Sequence, residues 1–341
     1  MNKCITHSII SSFLEFLFVS VFTLIFLFCF LLVNNISASD IKKDLLKGER
    51  ILFLGDSITQ DGQYVSFIEY YFNSLFPDNK FDIISIGLSS ETVSGLTEKS
   101  NPYRRPCLFD RLDFALNEIK PSIVIACYGM NDGIYHPQSK ERLKAFESGI
   151  MKLISRVQQD KIKLILITPP MFDTLSAKFK PIGENEPDYG FATPYHLYNN
   201  VLGDYASFQM KLSIPNVTVI DLHTTMTDYV LRQRNAIPNF SFSKDGIHPG
   251  TVGHLFMAQQ FMKGIGVEIK NDTLNSELKR IKADSLFTLV NQHRSKRSNG
   301  WLSYIGFTLE KTVKTDEIDS TENEAAILQA KIEERKISKL K

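Results

Sequence analysis

The chain has 341 residues, of which 43% are hydrophobic and 23% charged, and its 39 Lys and Arg residues against 38 Asp and Glu residues give a formal net charge of +1. This composition is close to the average of globular proteins and excludes a collagen-like, a disordered or a disulfide-dense chain. Because the charge is balanced and no dense basic cluster occurs, we expect no nucleic-acid partner. The length suits one large domain or two ordinary ones.

The first forty residues differ in character from the rest. Eighteen consecutive uncharged, mostly apolar residues (16–33) follow Lys3 and precede a run of small and polar residues (34–39). This order is typical of a secretory signal peptide, and the run is also just long enough to span a bilayer as an uncleaved anchor. Residues 1–39 are therefore predicted to be a signal peptide or a membrane anchor, and in both cases the rest of the chain is exported to the periplasm, the cell surface or the medium.

Beyond this leader, Cys107 and Cys127 are the two remaining cysteines. Export permits a disulfide between them, but Cys127 lies in an apolar run typical of a buried strand, so we expect two free thiols. Neither a CxxC nor an HExxH motif occurs, and the sequence predicts neither a metal nor another cofactor.

Short apolar runs rich in β-branched residues alternate with helix-like segments along the chain. Such runs are typical of strands buried on both faces. The runs lie at 51–54, 81–86, 122–128, 164–168 and 217–221, and the helical patterns at 62–76, 107–119, 139–159, 195–213, 222–235 and 251–264. The alternation predicts an α/β domain over residues 40–266, built as three α/β/α layers around a five-stranded parallel sheet.

After residue 266 the alternation stops, and residues 267–341 are predicted to be a helical, charged extension. Residues 321–324 have a capping-box pattern, and the segment from there to the end is acidic first and basic last. We expect a solvated surface helix or a frayed tail there. Trp301, the single Trp, either packs onto the edge of the domain or offers a platform to a sugar.

Three polar segments follow predicted strands, at the edge where parallel sheets bind ligands. Residues 55–59 (Gly-Asp-Ser-Ile-Thr) follow the first strand, and residues 129–132 (Gly-Met-Asn-Asp) follow the third. Residues 245–250 (Asp-Gly-Ile-His-Pro-Gly) come after the fifth strand and its helix. Each segment alone is an ordinary turn or helix cap, but their joint occurrence at strand ends indicates an active site.

These segments supply the groups that acyl transfer needs. Ser57 can act as the nucleophile, His248 as the base that takes its proton, and Asp245 as the carboxylate that orients the imidazole. Asn131 offers a side-chain amide to the developing oxyanion. The sequence thus predicts a Ser-His-Asp triad and one donor of an oxyanion hole.

Over roughly residues 50–265, the chain resembles the SGNH hydrolases, also called GDSL esterases and lipases. Ser57 matches the nucleophile block of that family, Asn131 its oxyanion block, and Asp245 with His248 its terminal Asp-x-x-His. The resemblance implies a flavodoxin-like fold with five parallel strands between helices. It also implies hydrolysis of carboxylic esters by a serine nucleophile.

One block departs from the family pattern. Members commonly carry Asn-x-Gly-x-Ser-Gly-Asp-Thr, whose second Gly donates a backbone N–H to the oxyanion hole. Residues 85–92 here read Ser-Ile-Gly-Leu-Ser-Ser-Glu-Thr, with Ser90 in the place of that Gly. Because a backbone donor does not depend on the side chain, we predict that the N–H groups of Ser57 and Ser90 act beside Asn131, with Gly87 as the alternative to Ser90.

The predicted function follows from export, the motifs and a long loop. Residues 169–194 combine prolines, aromatic and polar residues after the fourth strand, which favours a sugar over a long acyl chain. We predict an exported serine esterase that removes short acyl groups, acetyl above all, from a polysaccharide or a small acylated molecule. The alternatives are a lysophospholipase or other lipid acyl hydrolase, a thioesterase, and a non-catalytic surface binding protein on the same fold. The oligomeric state stays open.

Overall fold

The computed structural model describes residues 38–270, 273–306 and 317–340. The predicted leader, including the apolar run 16–33, lies outside these ranges except for its last two residues. Within the described ranges, the helices lack the combination of length and apolar character needed to cross a bilayer.

Five parallel strands form one sheet in the order β2–β1–β3–β4–β5. The strands are β1 (Arg50–Gly55), β2 (Asp82–Ser85), β3 (Ile123–Cys127), β4 (Lys163–Ile167) and β5 (Val217–Ile220). Each coincides with a predicted apolar run, which confirms the predicted fold class. The strand order reverses between β1 and β3, and in sheets of this kind ligands bind beyond the carboxyl ends of the strands at such a point.

The strands differ in burial according to their place in the sheet. The central strands β1, β3 and β4 are almost completely buried, as their continuous apolar sequences predict. At the edge, β5 has only Ile220 fully buried, so the expectation of burial on both faces is wrong for this strand. The other edge strand, β2, is mostly buried, so edge position alone does not account for the exposure of β5.

Helices cover the sheet. They are α1 (Ala38–Leu45), α2 (Ser57–Asp61), α3 (Gln63–Leu75), α4 (Leu112–Ile119), α5 (Lys140–Gln159), α6 (Tyr198–Met210), α7 (Leu222–Arg234), α8 (Thr251–Gly264), α9 (Leu274–Ala283), α10 (Ser285–Ile305) and α11 (Ile318–Leu340). The helix predicted over 62–76 corresponds to α3, and a short helix that the sequence analysis did not predict, α2, precedes it. Gly62 has a left-handed φ of 67°, which ends α2 and starts α3.

Helix α1 lies at the amino-terminal edge of the sheet, opposite the carboxyl ends of the strands. Ile41 and Leu45 of this helix are buried. Asp44 forms ion pairs with Lys163, the first residue of β4, and with Lys47. These contacts fix the point at which the amino-terminal part of the described chain joins the fold.

Helix α10 packs against α3 and β2 through polar pairs, one of them buried and one half-buried. His293 lies 2.8 Å from Glu69 of α3, and Arg297 donates to Asp82 of β2 at 2.6 Å. The Trp301 indole is 9% exposed and its Nε1–H donates to Glu322 of α11 at 2.9 Å. The packing interpretation of Trp301 is therefore the correct one of the two.

Helix α11 packs along α10 and is not a frayed tail. It begins at Ile318, so Thr321 is an interior helical residue whose hydroxyl donates to the Ile318 carbonyl, and the predicted helix start at the capping box is wrong. The helices approach so closely that a Cβ at Gly300 would lie 1.8 Å from the Thr321 hydroxyl. The buried face of α11 carries Thr321, Ala325, Ile332 and Lys336.

Candidate active site

Ser57 stands at the carboxyl end of β1, as the first residue of α2. Asp56 caps this helix, because its carboxylate accepts the N–H of Ile58 at 2.9 Å. Gly55 is required at the end of the strand, since a Cβ there would lie 2.1 Å from the Thr59 hydroxyl. The tight turn therefore presents the Ser57 hydroxyl above the sheet, with its backbone N–H in the first helical turn, where no helical acceptor exists.

A continuous chain of hydrogen bonds joins Ser57, His248 and Asp245. The Ser57 Oγ lies 2.8 Å from His248 Nε2, and His248 Nδ1 lies 2.7 Å from Asp245 Oδ2. The other oxygen of Asp245 accepts the backbone N–H groups of Ile247 and His248 at 2.9 and 2.8 Å, and the Ser243 hydroxyl at 2.9 Å. The carboxylate is thus fixed by its own loop, and it fixes the imidazole in turn.

The charges of this pair support each other. The hydrogen bond that His248 donates to Asp245 raises the pKa of the imidazole above its ordinary value, although partial burial opposes the shift. Burial alone would raise the pKa of Asp245, but hydrogen bonds from the side chain and backbone of His248 hold that pKa well below its usual range. The imidazole is 40% exposed, so it can receive a proton from Ser57 and pass it to a molecule in the crevice.

The loop after β2 brings Ser90 towards the same end of the sheet. The Leu88 N–H donates to the Gly55 carbonyl at 2.8 Å, and the Ser89 N–H donates to the Gln60 side chain at 2.6 Å. Ser90 has a left-handed φ of 67°. This region favours glycine, which gives a physical reason for the Gly that the family pattern carries at this position.

Gly87, the alternative to Ser90 as a backbone N–H donor, lies in a different environment. A Cβ at this position would lie 2.3 Å from the backbone nitrogen of Gln60 and 2.4 Å from the Thr59 carbonyl carbon. Gly87 is therefore packed against the backbone of α2. The close contact accounts for the glycine by itself.

Asn131 lies four residues beyond β3, beside the Ser90 loop. Its Nδ2 donates to the carbonyl of Glu91, the residue after Ser90, at 3.3 Å. Its Oδ1 accepts from the Arg105 guanidinium at 3.2 Å and from the Tyr135 hydroxyl at 3.1 Å. The structure thus joins Asn131 to the Ser90 loop, and joins Ser57 to His248 and, through it, to Asp245.

The sequence pattern of the GDSL-like Lipase/Acylhydrolase family matches residues 53–255, a stretch that includes both Ser57 and His248. The chain belongs to this family. The resemblance to SGNH hydrolases that the sequence suggested is therefore confirmed, and the chain is a hydrolase of the GDSL type.

Solved structures share the fold of this GDSL-like hydrolase. A gut microbial diltiazem-metabolizing enzyme superposes with a TM-score of 0.52 at 22% identity, over 64% of this chain and 47% of its own, so the chain spans less than half of that protein. A variant of Axe2, an acetyl-xylooligosaccharide esterase from Geobacillus stearothermophilus, superposes with a TM-score of 0.50 at 20% identity, over 67% of this chain and 99% of its own. At these identities the likeness shows the fold alone. A comparison with curated proteins found no match.

Two buried carboxyl groups support the loops of this GDSL-like hydrolase. Burial raises the pKa of Asp56, the cap of α2, to about 7. Asp132 accepts the N–H groups of Val93 and Ser94 at 2.8 Å each, and burial raises its pKa to about 6. Both side chains hold backbone groups of the site, which is the structural role expected of aspartates in such turns.

Two ion pairs behind the site were not predicted from the sequence. Glu91 is fully buried and binds the guanidinium of Arg111 through two hydrogen bonds of 2.6 and 2.7 Å. Glu98 binds Arg105 in the same bidentate way, also at 2.6 and 2.7 Å. No motif or periodic spacing connects these partners along the chain, so only the folded loops bring them together.

Both cysteines outside the leader are buried and free, which confirms the expectation of two thiols. Among the described residues, no three His, Cys, Asp or Glu side chains are grouped closely enough to hold a metal ion.

Proposed function

We propose that this GDSL-like hydrolase is an exported serine esterase that removes short acyl groups, acetyl above all, from a carbohydrate. The observation that carries the catalytic part is the unbroken hydrogen-bond chain from Asp245 through His248 to Ser57. A nucleophile, a base within hydrogen-bond reach and a group that orients the base are the requirements of nucleophilic ester hydrolysis.

In the first half-reaction, the Ser57 oxygen attacks the ester carbonyl carbon while His248 Nε2 takes the hydroxyl proton. Negative charge then develops on the former carbonyl oxygen, and the N–H groups of Ser57 and Ser90 and the amide of Asn131 stabilise it. Collapse of this intermediate breaks the bond to the alcohol, which leaves with the proton from His248. An acyl group remains on Ser57.

In the second half-reaction, His248 takes a proton from water, and the resulting hydroxide attacks the acyl carbon. The same donors stabilise the second oxyanion. Its collapse breaks the bond to the Ser57 oxygen, which recovers the proton from His248, and the free acid leaves. Asp245 stays ionised and stabilises the imidazolium in both halves.

The surroundings of the triad support a carbohydrate substrate. Tyr103 is 42% exposed, and its hydroxyl lies 3.3 Å from the Ser90 hydroxyl. Phe191, on the loop that the sequence analysis singled out, is 40% exposed and packs edge-on against Tyr135, the neighbour of Asn131. Exposed aromatic rings beside a few polar groups suit a sugar ring, which has an apolar face and a polar rim.

The position of α1 supports a substrate outside the membrane. Asp44 in α1 pairs with the first residue of β4, whereas Ser57 follows the last residue of β1. An anchor in residues 16–33 would therefore join the fold at the end opposite the site. The crevice would face away from the bilayer, towards cell-surface or soluble polymers.

Covalent labelling tests the nucleophile. A fluorophosphonate probe should label the wild type, and Ser57→Ala should remain unlabelled and inactive, because no other hydroxyl is bonded to His248 Nε2 in the described residues. Ser89→Ala, which changes a serine in the neighbouring loop, is the matched control and should be labelled normally. Equal labelling of Ser57→Ala and wild type would remove Ser57 from its role, and a folded wild type that is not labelled at all would favour a binding protein on the same fold.

A substrate panel tests the proposed specificity. We expect acetate release from acetylated polysaccharides and oligosaccharides, and much slower reaction with lysophospholipids, long-chain lipid esters and acyl thioesters. Faster turnover of the lipid or thioester substrates would replace the carbohydrate proposal by one of those activities while leaving the serine mechanism in place.

Terminal sequencing of the exported protein tests the leader. A cleaved signal peptide predicts a mature amino terminus near Ser39 or Asp40, in the first turn of α1. Recovery of Met1 in a membrane fraction would show an anchor instead, and recovery of the protein in the cytoplasm alone would contradict export.

A further inference from the structure

A closed polar cluster surrounds the side-chain oxygen of Asn131. Arg105 and Tyr135 donate to this oxygen at 3.2 and 3.1 Å, and Glu98 binds the same guanidinium at 2.6 and 2.7 Å. All four side chains are at most 4% exposed. Burying such a cluster costs free energy unless every polar group has a partner. Its position next to an oxyanion donor therefore suggests a function.

The guanidinium determines which way the amide of Asn131 faces. Arg carries donors and no acceptor, so the atom beside it has to be Oδ1 and not Nδ2. The Nδ2 group then faces the Glu91 carbonyl. Since Nδ2 carries two N–H groups and Glu91 is its one acceptor among the described residues, the second N–H is available to an oxyanion.

The charge on Arg105 also strengthens that N–H as a donor. Burial lowers the pKa of Arg105, but the hydrogen bonds to Glu98 raise it above its ordinary value, so the guanidinium stays charged. A cation that donates to the amide oxygen draws electron density from the amide nitrogen. Hydrogen bonds in such chains strengthen one another by roughly 10–30% per bond.

The backbone beneath the cluster is held in a costly conformation. Ile134 and Tyr135 have φ values of 46° and 60°, in the left-handed region that side chains avoid. In this region Cβ comes too close to the following carbonyl oxygen, which is why residues other than glycine seldom adopt it. This conformation brings the Tyr135 hydroxyl back onto Asn131, four residues earlier, and strain of this kind is concentrated at functional sites.

We propose that Arg105, held by Glu98 and assisted by Tyr135, is a positioning residue that fixes and polarises the amide of Asn131 for transition-state stabilisation. The proposal rests on the serine esterase function proposed above. It states that Arg105 acts through Asn131, and that it does not act on the substrate or on the stability of the fold alone.

A double-mutant cycle, measured on ester hydrolysis, tests whether Arg105 acts through Asn131. Asn131→Ala should lower kcat about 10²–10³-fold, as loss of one oxyanion donor does. Arg105→Lys keeps a charge for Glu98 but cannot bind it bidentately and also reach Asn131, so we expect a loss in kcat of about tenfold or more with KM within about twofold. The double variant should be no slower than Asn131→Ala by more than about threefold, because the partner through which Arg105 acts is already gone.

Two further variants separate positioning from folding. Arg105→Met with Glu98→Gln removes both buried charges together, and in the cycle with Asn131→Ala it should show the same coupling. Tyr135→Phe removes the second donor and keeps the ion pair, so a smaller loss in kcat is expected. Arg297→Met is the matched control: it removes another buried guanidinium, which pairs with the half-buried Asp82 and Glu322, and should lower the melting temperature and leave kcat unchanged.

The outcomes distinguish the two proposals. If the losses from Arg105→Lys and Asn131→Ala multiply in the double variant, or if Arg105→Lys raises KM and spares kcat, Arg105 does not act through Asn131, and the inference is overturned while the esterase stands. If the folded wild type neither hydrolyses esters nor reacts with a fluorophosphonate, the serine esterase function itself fails. A folded Arg105→Lys with wild-type kcat also overturns the positioning role.

Discussion

In the proposed mechanism, the charge of the His248 imidazole decides when Ser57 can lose its proton. The base has to be neutral to accept that proton, and Asp245 raises the pKa of His248 above its ordinary value of 6.5. A raised pKa means that the imidazole is already protonated at a higher pH. Activity should therefore fall as the pH drops through a midpoint above 6.5 and level off on the alkaline side.

The variant Asp245→Asn tests whether the Asp245 charge sets the position of this acidic limb. The amide keeps the shape of the side chain but removes the charge that raises the pKa of His248, so the acidic limb should move to lower pH. Turnover on the plateau should drop by about 10⁴, as in other triads that lose this carboxylate. Acetate release measured against pH for both proteins checks the prediction. An acidic limb that does not move, or strong wild-type activity near pH 4, would contradict it.

The left-handed φ of Ser90 leads to a second prediction. Such a conformation costs a side-chain-bearing residue roughly 1–2 kcal/mol, and glycine removes this cost but adds roughly 0.5–1 kcal/mol of unfolded-state entropy. We expect Ser90→Gly to stabilise the protein by up to about 1 kcal/mol and to keep turnover, because the backbone N–H remains. Ser89→Gly, at a position without a positive φ, should instead be destabilising.

Denaturant unfolding with a kcat measurement tests both serine variants. A folded Ser90→Gly that loses most of its turnover would assign a function to the hydroxyl, which lies near Tyr103. A loss of stability equal to that of Ser89→Gly would show that the backbone at Ser90 is not strained.

Residues that belong to short motifs could be predicted from the sequence, and residues that act through the fold could not. Ser57, Asn131, Asp245 and His248 each lie in a segment of four to six residues whose local turn is specified by Gly, Asp or Pro. Arg105 reaches Asn131 across 26 residues of chain. That contact depends on a loop path without periodicity, so no local pattern indicates it.

At the level of secondary-structure elements, the buried strands are the ones that the sequence predicts well. Strands β1, β3 and β4 are continuous apolar runs because both of their faces are covered, and such runs are easy to recognise. Helix boundaries are harder to predict where a single backbone angle or a neighbouring helix determines them. The break at Gly62 depends on its left-handed φ, and the start of α11 depends on contact with α10.

The contact between α2 and the loop after β2 makes a prediction about Gly87. A Cβ there would lie 2.3 Å from a backbone atom of α2, which cannot move away as a flexible side chain can. Gly87→Ala should therefore destabilise the protein by about 3 kcal/mol or more, at the upper end of overpacking effects. It should also slow fluorophosphonate labelling, because displacement of α2 moves Ser57.

Gly183→Ala is the matched control for this substitution. A Cβ at Gly183 has no atom within 4 Å among the described residues, so the change should be neutral or slightly stabilising. Thermal unfolding and the labelling rate are compared for the two variants. Equal stability of Gly87→Ala and Gly183→Ala would show that the loop and α2 can separate freely, and it would weaken the argument that this contact positions the nucleophile.

At the scale of the whole molecule, the segment that contains α9 and α10 supplies hydrogen-bond partners for polar side chains of α3. The hydroxyls of Tyr70 and Tyr71 donate to Asp284 and Glu277, both at 2.9 Å. Ser66 of α3 also accepts from Arg294 at 2.9 Å. These side chains of α3 lie on a face that the helices after residue 266 cover, so α3 depends on partners far along the chain.

Truncation separates the contributions of these helices. A chain that ends at Gly266 leaves Tyr71 without its carboxylate and removes His293 from Glu69, so buried polar groups lose their partners at a cost of about 1–3 kcal/mol each. Several such losses, added to the exposure of the apolar face of α3, are comparable to the whole stability of a domain, which is about 5–15 kcal/mol. We expect this chain to be insoluble or to lack a cooperative unfolding transition.

A chain that ends at Gly306 lacks only α11 and the segment before it, and serves as the comparison. It keeps the contacts of α9 and α10 with α3, and loses the bonds of Arg297 and Trp301 to Glu322. The hydrogen bonds and ion pairs described for α11 join it to α10 and to Asn79, and none of them reaches the site. This chain should therefore melt at a lower temperature and still release acetate at the wild-type rate in the cold. Thermal unfolding and activity of both chains test the argument. If the chain that ends at Gly266 unfolds cooperatively and is fully active, the helices after residue 266 are dispensable and the polar contacts of α3 contribute little to the fold.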